Sequence, residues 1–160
     1  MMEQLYSAYL DTLDGISQDL DKLAGLCRKQ SDTVRHDDLI ALNEVMKQEQ
    51  VLGLSLRGRE QKRQKQAIQL GLDGSRLSAL PQLVPKSLLP KAQASVEHLR
   101  RSYDGYQNAA QVARHTLEIN LHEIDKILIA QGVDPAQAAA GYAPDVAAEP
   151  PTNMKTDFRA

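Results

Sequence analysis

Tryptophan is absent from the 160-residue chain, phenylalanine occurs once, and aromatic residues make up only 4% of it. A core must therefore come mostly from leucine, isoleucine, valine and alanine. That palette suits helix packed on helix better than a sheet, whose pairing favours aromatic and β-branched side chains. Cysteine also occurs once, so Cys27 can form neither an internal disulfide nor a thiol cluster around a metal. It falls on the apolar stripe of the first predicted helix and reads as a small buried hydrophobe rather than a nucleophile. Net charge is scarce too: 19 basic and 21 acidic residues leave a formal charge of -2, with no bulk attraction to phosphate backbones or anionic lipid. Finally, there is no unbroken apolar run. Met1, Met2, Glu3 and Gln4 open the sequence without a basic flank, so neither a secretory signal nor a membrane span is expected, and the protein is expected in the cytoplasm.

What is present is helical periodicity. Tyr9, Leu13, Ile16, Leu20, Leu23 and Cys27 alternate steps of four and three, which lines one stripe of a helix predicted over about residues 2 to 30. The polar interval Ser31-Asp32-Thr33 follows, and Asp37 is a candidate cap for a second helix entering at Leu39 and Leu42. That helix is predicted to reach Leu70, where Gly71 and Gly74 supply the stop. Its stripe is uneven. Counting on through Met46 gives Glu49, Gly53, Leu56, Glu60 and Arg63, which predicts a stretch that faces solvent or borders an incompletely filled groove.

Pro81, Pro85 and Pro90 among leucines forbid a long helix between the glycines and residue 91, leaving a packed connector with one short helix starting near Ser75. Ser87 is a candidate cap and Pro90 is tolerated in the first turn of a third long helix. There Ala92, Val96, Leu99, Tyr103, Tyr106, Ala110, Ala113, Leu117, Asn120, Ile124 and Ile127 hold the four-three rhythm without a slip. A seven-residue repeat kept this long asks for left-handed supercoiling against neighbours. The predicted fold is all-α: an elongated antiparallel bundle of three long helices with coiled-coil-like packing, a short connector helix, and a C-terminal tail. The bundle is assigned to residues 1–131 and the tail to 132–160. The tail is rich in alanine and proline and too poor in large apolar residues for a core. It is expected to be mobile except for one short helix, capped by Asp134 and Pro135 and running over Ala136 to Ala140.

Catalytic and metal chemistry find little support. His115, Glu118 and His122 have helical spacing, but the histidines lie opposite the seam at Leu117 and Ile124, where no second helix completes a coordination shell. No metal, no cofactor and no enzymatic activity are expected. Gly53, Gly58 and Gly71 lack the lysine and hydroxyl of a phosphate loop. The basic run Arg57, Arg59, Lys62, Arg63 and Lys65 is interrupted by Glu60 and has no aromatic side chain for stacking, so a solvated helix end is favoured over a nucleic-acid site. Val112 and Ile119, seven apart and roughly opposite the main seam, should be covered either by a further helix of the bundle or by a partner's helix. In the tail, Tyr142, Met154 and Phe158 are candidate anchors for coupled folding and binding.

Several linked segments resemble the FlgN family of flagellar type III export chaperones over about residues 5 to 145. They are Glu49-Gln50, then Glu60, Arg63, Ile68 and Leu70-Gly71; the connector Ser78-Ala79-Leu80-Pro81-Gln82-Leu83; Asn108 midway along the last long helix; and Tyr142 beyond it. Gln111 and Val112 stand where the family often carries a second asparagine. The resemblance implies a cytoplasmic chaperone that holds the hook-associated (hook-filament junction) proteins, prevents their premature assembly and delivers them to the type III export gate. It further implies that contacts are made through the C-terminal region, with Tyr142 a docking residue. The alternative from the residues alone is a non-enzymatic coiled-coil adaptor that self-associates through its third helix.

Overall fold

The computed structural model describes residues 1–134 and 136. Among the described residues four α-helices follow one another: α1 (Met2–Arg35), α2 (Leu39–Gln69), the short α3 (Leu80–Leu83) and α4 (Leu89–Ala130). Among the described residues there is no strand.

The first helix is central, because its main interfaces are with α2 on one side and α4 on the other. Its predicted stripe from Tyr9 to Cys27 is buried in full, and so are Leu10, Ser17 and Ala24 beside it. A helix held between two others needs a wider apolar arc than a single stripe. The polar interval at 31–33 does not end it. Ser31 Oγ donates to the Cys27 carbonyl at 3.2 Å and Thr33 Oγ1 to that of Gln30 at 2.8 Å, so both hydroxyls fold back onto the helix and it continues to Arg35. The cap of α2 is Asp38, one residue later than the sequence suggests: its Oδ1 accepts from the Ala41 N–H at 3.0 Å, while Asp37 turns the chain at φ 53°.

The predicted α2 stripe divides: Met46 and Gly53 are exposed and the middle of the helix borders an open groove, but Leu56, Glu60 and Arg63 are buried. Val45, Leu56, Glu60, Arg63 and Ala67 are its buried residues, whereas Leu39 and Met46 are exposed. The stripe therefore begins one position away from the predicted one and meets it at Leu56, Glu60 and Arg63. Charge is tolerated there because the two groups satisfy each other. Arg63 donates from Nε and Nη2 to the Glu60 carboxylate at 2.9 and 2.6 Å, and from Nη1 to the Tyr9 hydroxyl of α1 at 3.3 Å. Burial opposes the charge on Arg63, but the hydrogen bonds and negative charge of Glu60 outweigh it and push the guanidinium pKa upward. Arg63 thus leaves the solvated basic run and belongs to the core.

Gly71, at φ 69°, ends α2: its N–H bonds to the Ile68 carbonyl and that of Leu72 to Ala67. The connector then threads Leu72, Leu80 and Val84 into the core cluster containing Tyr6, Tyr9 and Leu10, closing that end of the molecule. Ser87 does not cap α4. It donates instead to Glu3 at 2.8 Å, and the N-cap position is taken by Leu88 without a side-chain bond.

Successive long helices run up, down and up. Asp19 of α1 accepts from Ser55 Oγ and pairs with Arg59 of α2, both at 3.0 Å, and Tyr9 meets Arg63, so α1 and α2 are antiparallel. Lys91 reaches Asp11 at 2.7 Å, His98 reaches Asp21 at 3.1 Å, and Cys27 packs with Ala109 and Ala113, so α4 runs parallel to α1. The residues of α4 buried against α1 are Ala92, Ser95, Leu99, Ser102, Ala109 and Ala113, mostly small side chains that let the two helices approach closely.

Candidate interaction surface

The two helices in that parallel pair are not equally long. α1 has 34 residues and α4 has 42, and both start at the closed end. Past the last turn of α1, the rest of α4 runs on without a neighbour on its seam among the described residues. Leu117 and Asn120 are half-buried, and Ile124 and Ile127 are exposed, so the predicted seam is a core only as far as Ala113.

Where α1 stops, an open cleft of about 720 Å³ forms between the two helices. Val34, Arg35 and Asp37 line one side, and Val112, His115 and Ile119 are among the α4 residues on the other. The structure thus brings Val112 and Ile119 together on one wall, and among the described residues no helix covers either: they are 51% and 49% exposed. Arg35 and Val112 also border a neighbouring cleft of about 510 Å³, where Asn108 sits with Arg28 and Asp32. Beyond the cleft α4 also exposes Leu121, Ile124, Ile127 and Ile129, spread over more than one of its faces, and Val133 is exposed after its end. Across the molecule Leu39 and Ile40, at the start of α2 and so at the same end, are 75% and 87% exposed. One end of the bundle is sealed by connector leucines, and the other presents bare aliphatic side chains.

Behind this surface lies a small polar cluster. Cys27 is buried against Ala109, Ala113 and Tyr106. Desolvation, with the negative charge of Glu49 adding to it, pushes the Cys27 thiol up to about 11. The same burial raises Tyr106, and burial raises Glu49. A thiol held protonated in this way is not a nucleophile at neutral pH.

The remaining predicted site residues separate. Glu60 and Arg63 are buried against Tyr9, near the closed end, and Gly71 shapes the exit from α2; all three serve the fold. Asn108 is exposed beside the open end. Tyr142, Met154 and Phe158, with the predicted short helix beyond Ala136, lie outside the described residues; of that segment's predicted cap, Asp134 Oδ1 accepts from the Ala136 N–H at 3.0 Å. His115 and His122 are exposed, and among the described residues no three His, Cys, Asp or Glu side chains converge as metal ligands would. Nor is any helix among them long and apolar enough to cross a membrane. Sequence reasoning missed buried Val34 and exposed Arg35 as lining of the cleft, and Leu39 and Ile40 as exposed surface at the same end, because the predicted first helix stops at about residue 30 and the observed one at Arg35.

Comparison of the chain with protein-family models, with curated proteins and with solved structures found no match.

Proposed function

We propose that this protein is a non-enzymatic, cytoplasmic export chaperone of the FlgN type, which holds flagellar hook-associated proteins in an unassembled state and hands them to the type III export gate. The observation that carries the proposal is the open end of the bundle, where Val112, Ile119, Ile124 and Ile127 lie exposed along one long helix and Leu39 and Ile40 lie exposed across the molecule. A groove and ridge of this kind accept an amphipathic helix through anchors spaced three, four and seven apart. Export cargoes carry amphipathic terminal segments that aggregate or polymerise if left bare, and covering them requires surface and no chemistry. In this reading Tyr142, Met154 and Phe158 add contacts from the C-terminal segment, with Tyr142 placed by the resemblance as a docking residue. The ordering cost of such contacts keeps the complex reversible for hand-over at the gate.

The test is co-purification of the full-length chain with C-terminal fragments of hook-associated proteins. A 1:1 complex supports the proposal, and failure to bind any of them at micromolar concentration refutes it. The heptad spacing of Leu117, Ile124 and Asn120 with Ile127 beyond the end of α1 favours a second reading, a coiled-coil adaptor that pairs with its own copy. Light scattering that gives a tight oligomer indifferent to flagellar fragments would select it.

A further inference from the structure

A second groove runs along the other side of α1, against α2, and no residue of α4 lines it. Its volume is about 550 Å³. Leu26 and Leu52 form an apolar floor with Gly25 between turns of α1, and exposed Val51 forms a wall. Three lysines stand around the rim: Lys22 and Lys29 from α1, two turns or about 10 Å apart, and Lys47 from α2. Glu44 is the one acid among the lining residues. All three ammonium groups belong to exposed residues, and none has an ion-pair partner among the described residues.

Gly25 is the second observation. It sits inside a helix, where glycine is less favourable than alanine by about 1 kcal/mol. Yet a Cβ built there meets nothing within 4 Å, as at Gly53, Gly58 and Gly105, so the bundle's own packing does not require a glycine; of these four, Gly25 is the one that lines the groove. Gly15, ten residues earlier in the same helix, is the contrast: a methyl group there would collide with the Arg59 guanidinium that reaches over it to Asp19. One glycine makes room for a side chain of this protein, and the other leaves bare backbone at the floor of an open groove. Bare backbone flanked by leucines lets an incoming helix approach closely.

We propose that this groove is a docking site, separate from the open end, for an amphipathic helix of another protein whose apolar stripe is flanked by aspartate and glutamate. The apolar side chains of that helix cover Leu26, Val51 and Leu52, its backbone crosses at Gly25, and its carboxylates meet Lys22, Lys29 and Lys47. The excess of positive charge on the rim selects the acidic partner and speeds its encounter. The inference stands on the α1/α2 surface and does not depend on the chaperone reading.

The experiment uses the full-length chain and two labelled peptides of about five helical turns. Both carry the same leucine stripe, one flanked by glutamates and the other by lysines. Fluorescence anisotropy is expected to show the acidic peptide binding about tenfold or more tightly than its basic twin at low salt, with the difference shrinking as salt is added. Backbone amide shifts should map to residues 22–29 and 44–52. Gly25→Met should fill the groove, keep the thermal midpoint or raise it, and weaken the acidic peptide about tenfold. Lys22→Glu with Lys47→Glu should reverse the preference. Equal affinity for the two peptides, no binding of the acidic one, or an unchanged affinity in Gly25→Met would overturn the proposal. So would amide shifts in the 22–29 segment on removing residues 135–160, which would give the groove to the chain's own C-terminus, or on raising protein concentration alone, which would give it to a second copy.

Discussion

Arg63 has charge on a buried stripe and is held there by two partners, the Glu60 carboxylate on its own helix and the Tyr9 hydroxyl across the interface. A buried pair of this kind is a poor source of net stability, yet removing one member leaves an unpaired charge in the core. Glu60→Leu is therefore expected to cost about 3 to 5 kcal/mol in urea unfolding, and the double change Glu60→Leu with Arg63→Met to recover most of that. A double mutant as unstable as the single would show that the pair does more than satisfy itself. Cys27 gives a second test at this scale. Burial, with the charge of Glu49, pushes its folded pKa from the ordinary thiol value of about 9 up to about 11, so the unfolded thiol ionises first. The thiol's contribution is therefore fully present below pH 9 and is lost as pH rises from 9 toward 11. Cys27→Ala should flatten the alkaline limb of the stability profile between those values, and an unaltered limb would remove the thiol from the account. Tyr106, raised by the same burial, gives the residual slope its sign.

Among the elements, α4 shows how far a periodic pattern can be trusted. Its four-three rhythm correctly announces a long helix, and Ala92, Leu99 and Ala113 are buried as that rhythm requires. The face actually turned to α1 also takes in Ser95, Ser102 and Ala109, each one residue before Val96, Tyr103 and Ala110 of the predicted stripe. Small residues carry a weak hydrophobic signal, but they decide how closely two helices approach, so close packing was hidden where leucines were being counted. The rhythm also cannot say where the neighbouring helix ends. Leu117 is in register with Leu99 but is only half-buried, because α1 has stopped at Arg35. Leu99→Ala should cost about 2 to 5 kcal/mol and Leu117→Ala about 1 kcal/mol. Amide hydrogen exchange should be slow through Ala113 and fast beyond Ile119. Equal costs, or protection that continues to Ala130, would mean that α4 is covered along its full length. The α2 stripe was misplaced for a related reason: Leu39 and Met46 look like core and are surface, while Glu60 and Arg63 look like surface and are core. Only knowing that the two charges meet, which spacing alone does not reveal, reverses that reading.

At the scale of the whole molecule, the asymmetry between the two ends connects fold to function. Leu72, Leu80 and Val84 plug one end, so hydrophobic surface there is spent on stability. Leu39, Ile40, Ile124 and Ile127 at the other end are exposed among the described residues, and on the proposed function they serve a partner. Changing them should therefore separate binding from folding. Ile124→Asp with Ile127→Asp introduces two charges where both residues are already exposed, so the thermal midpoint should move by no more than a surface change does, an effect within about 0.5 kcal/mol per site. Capture of a hook-associated fragment should fall about tenfold or more, since aliphatic anchors on a docking face cannot be replaced by carboxylates without desolvating them. Phe158→Ala should likewise weaken capture and leave the melt unchanged. Leu13→Ala supplies the opposite case: the residue is fully buried in α1, and its loss should lower the melting temperature while leaving per-molecule affinity intact at temperatures where the variant is folded. If the Asp pair unfolds the protein and Leu13→Ala instead abolishes capture, the exposed end is part of the fold and the proposed division of labour between the two ends fails.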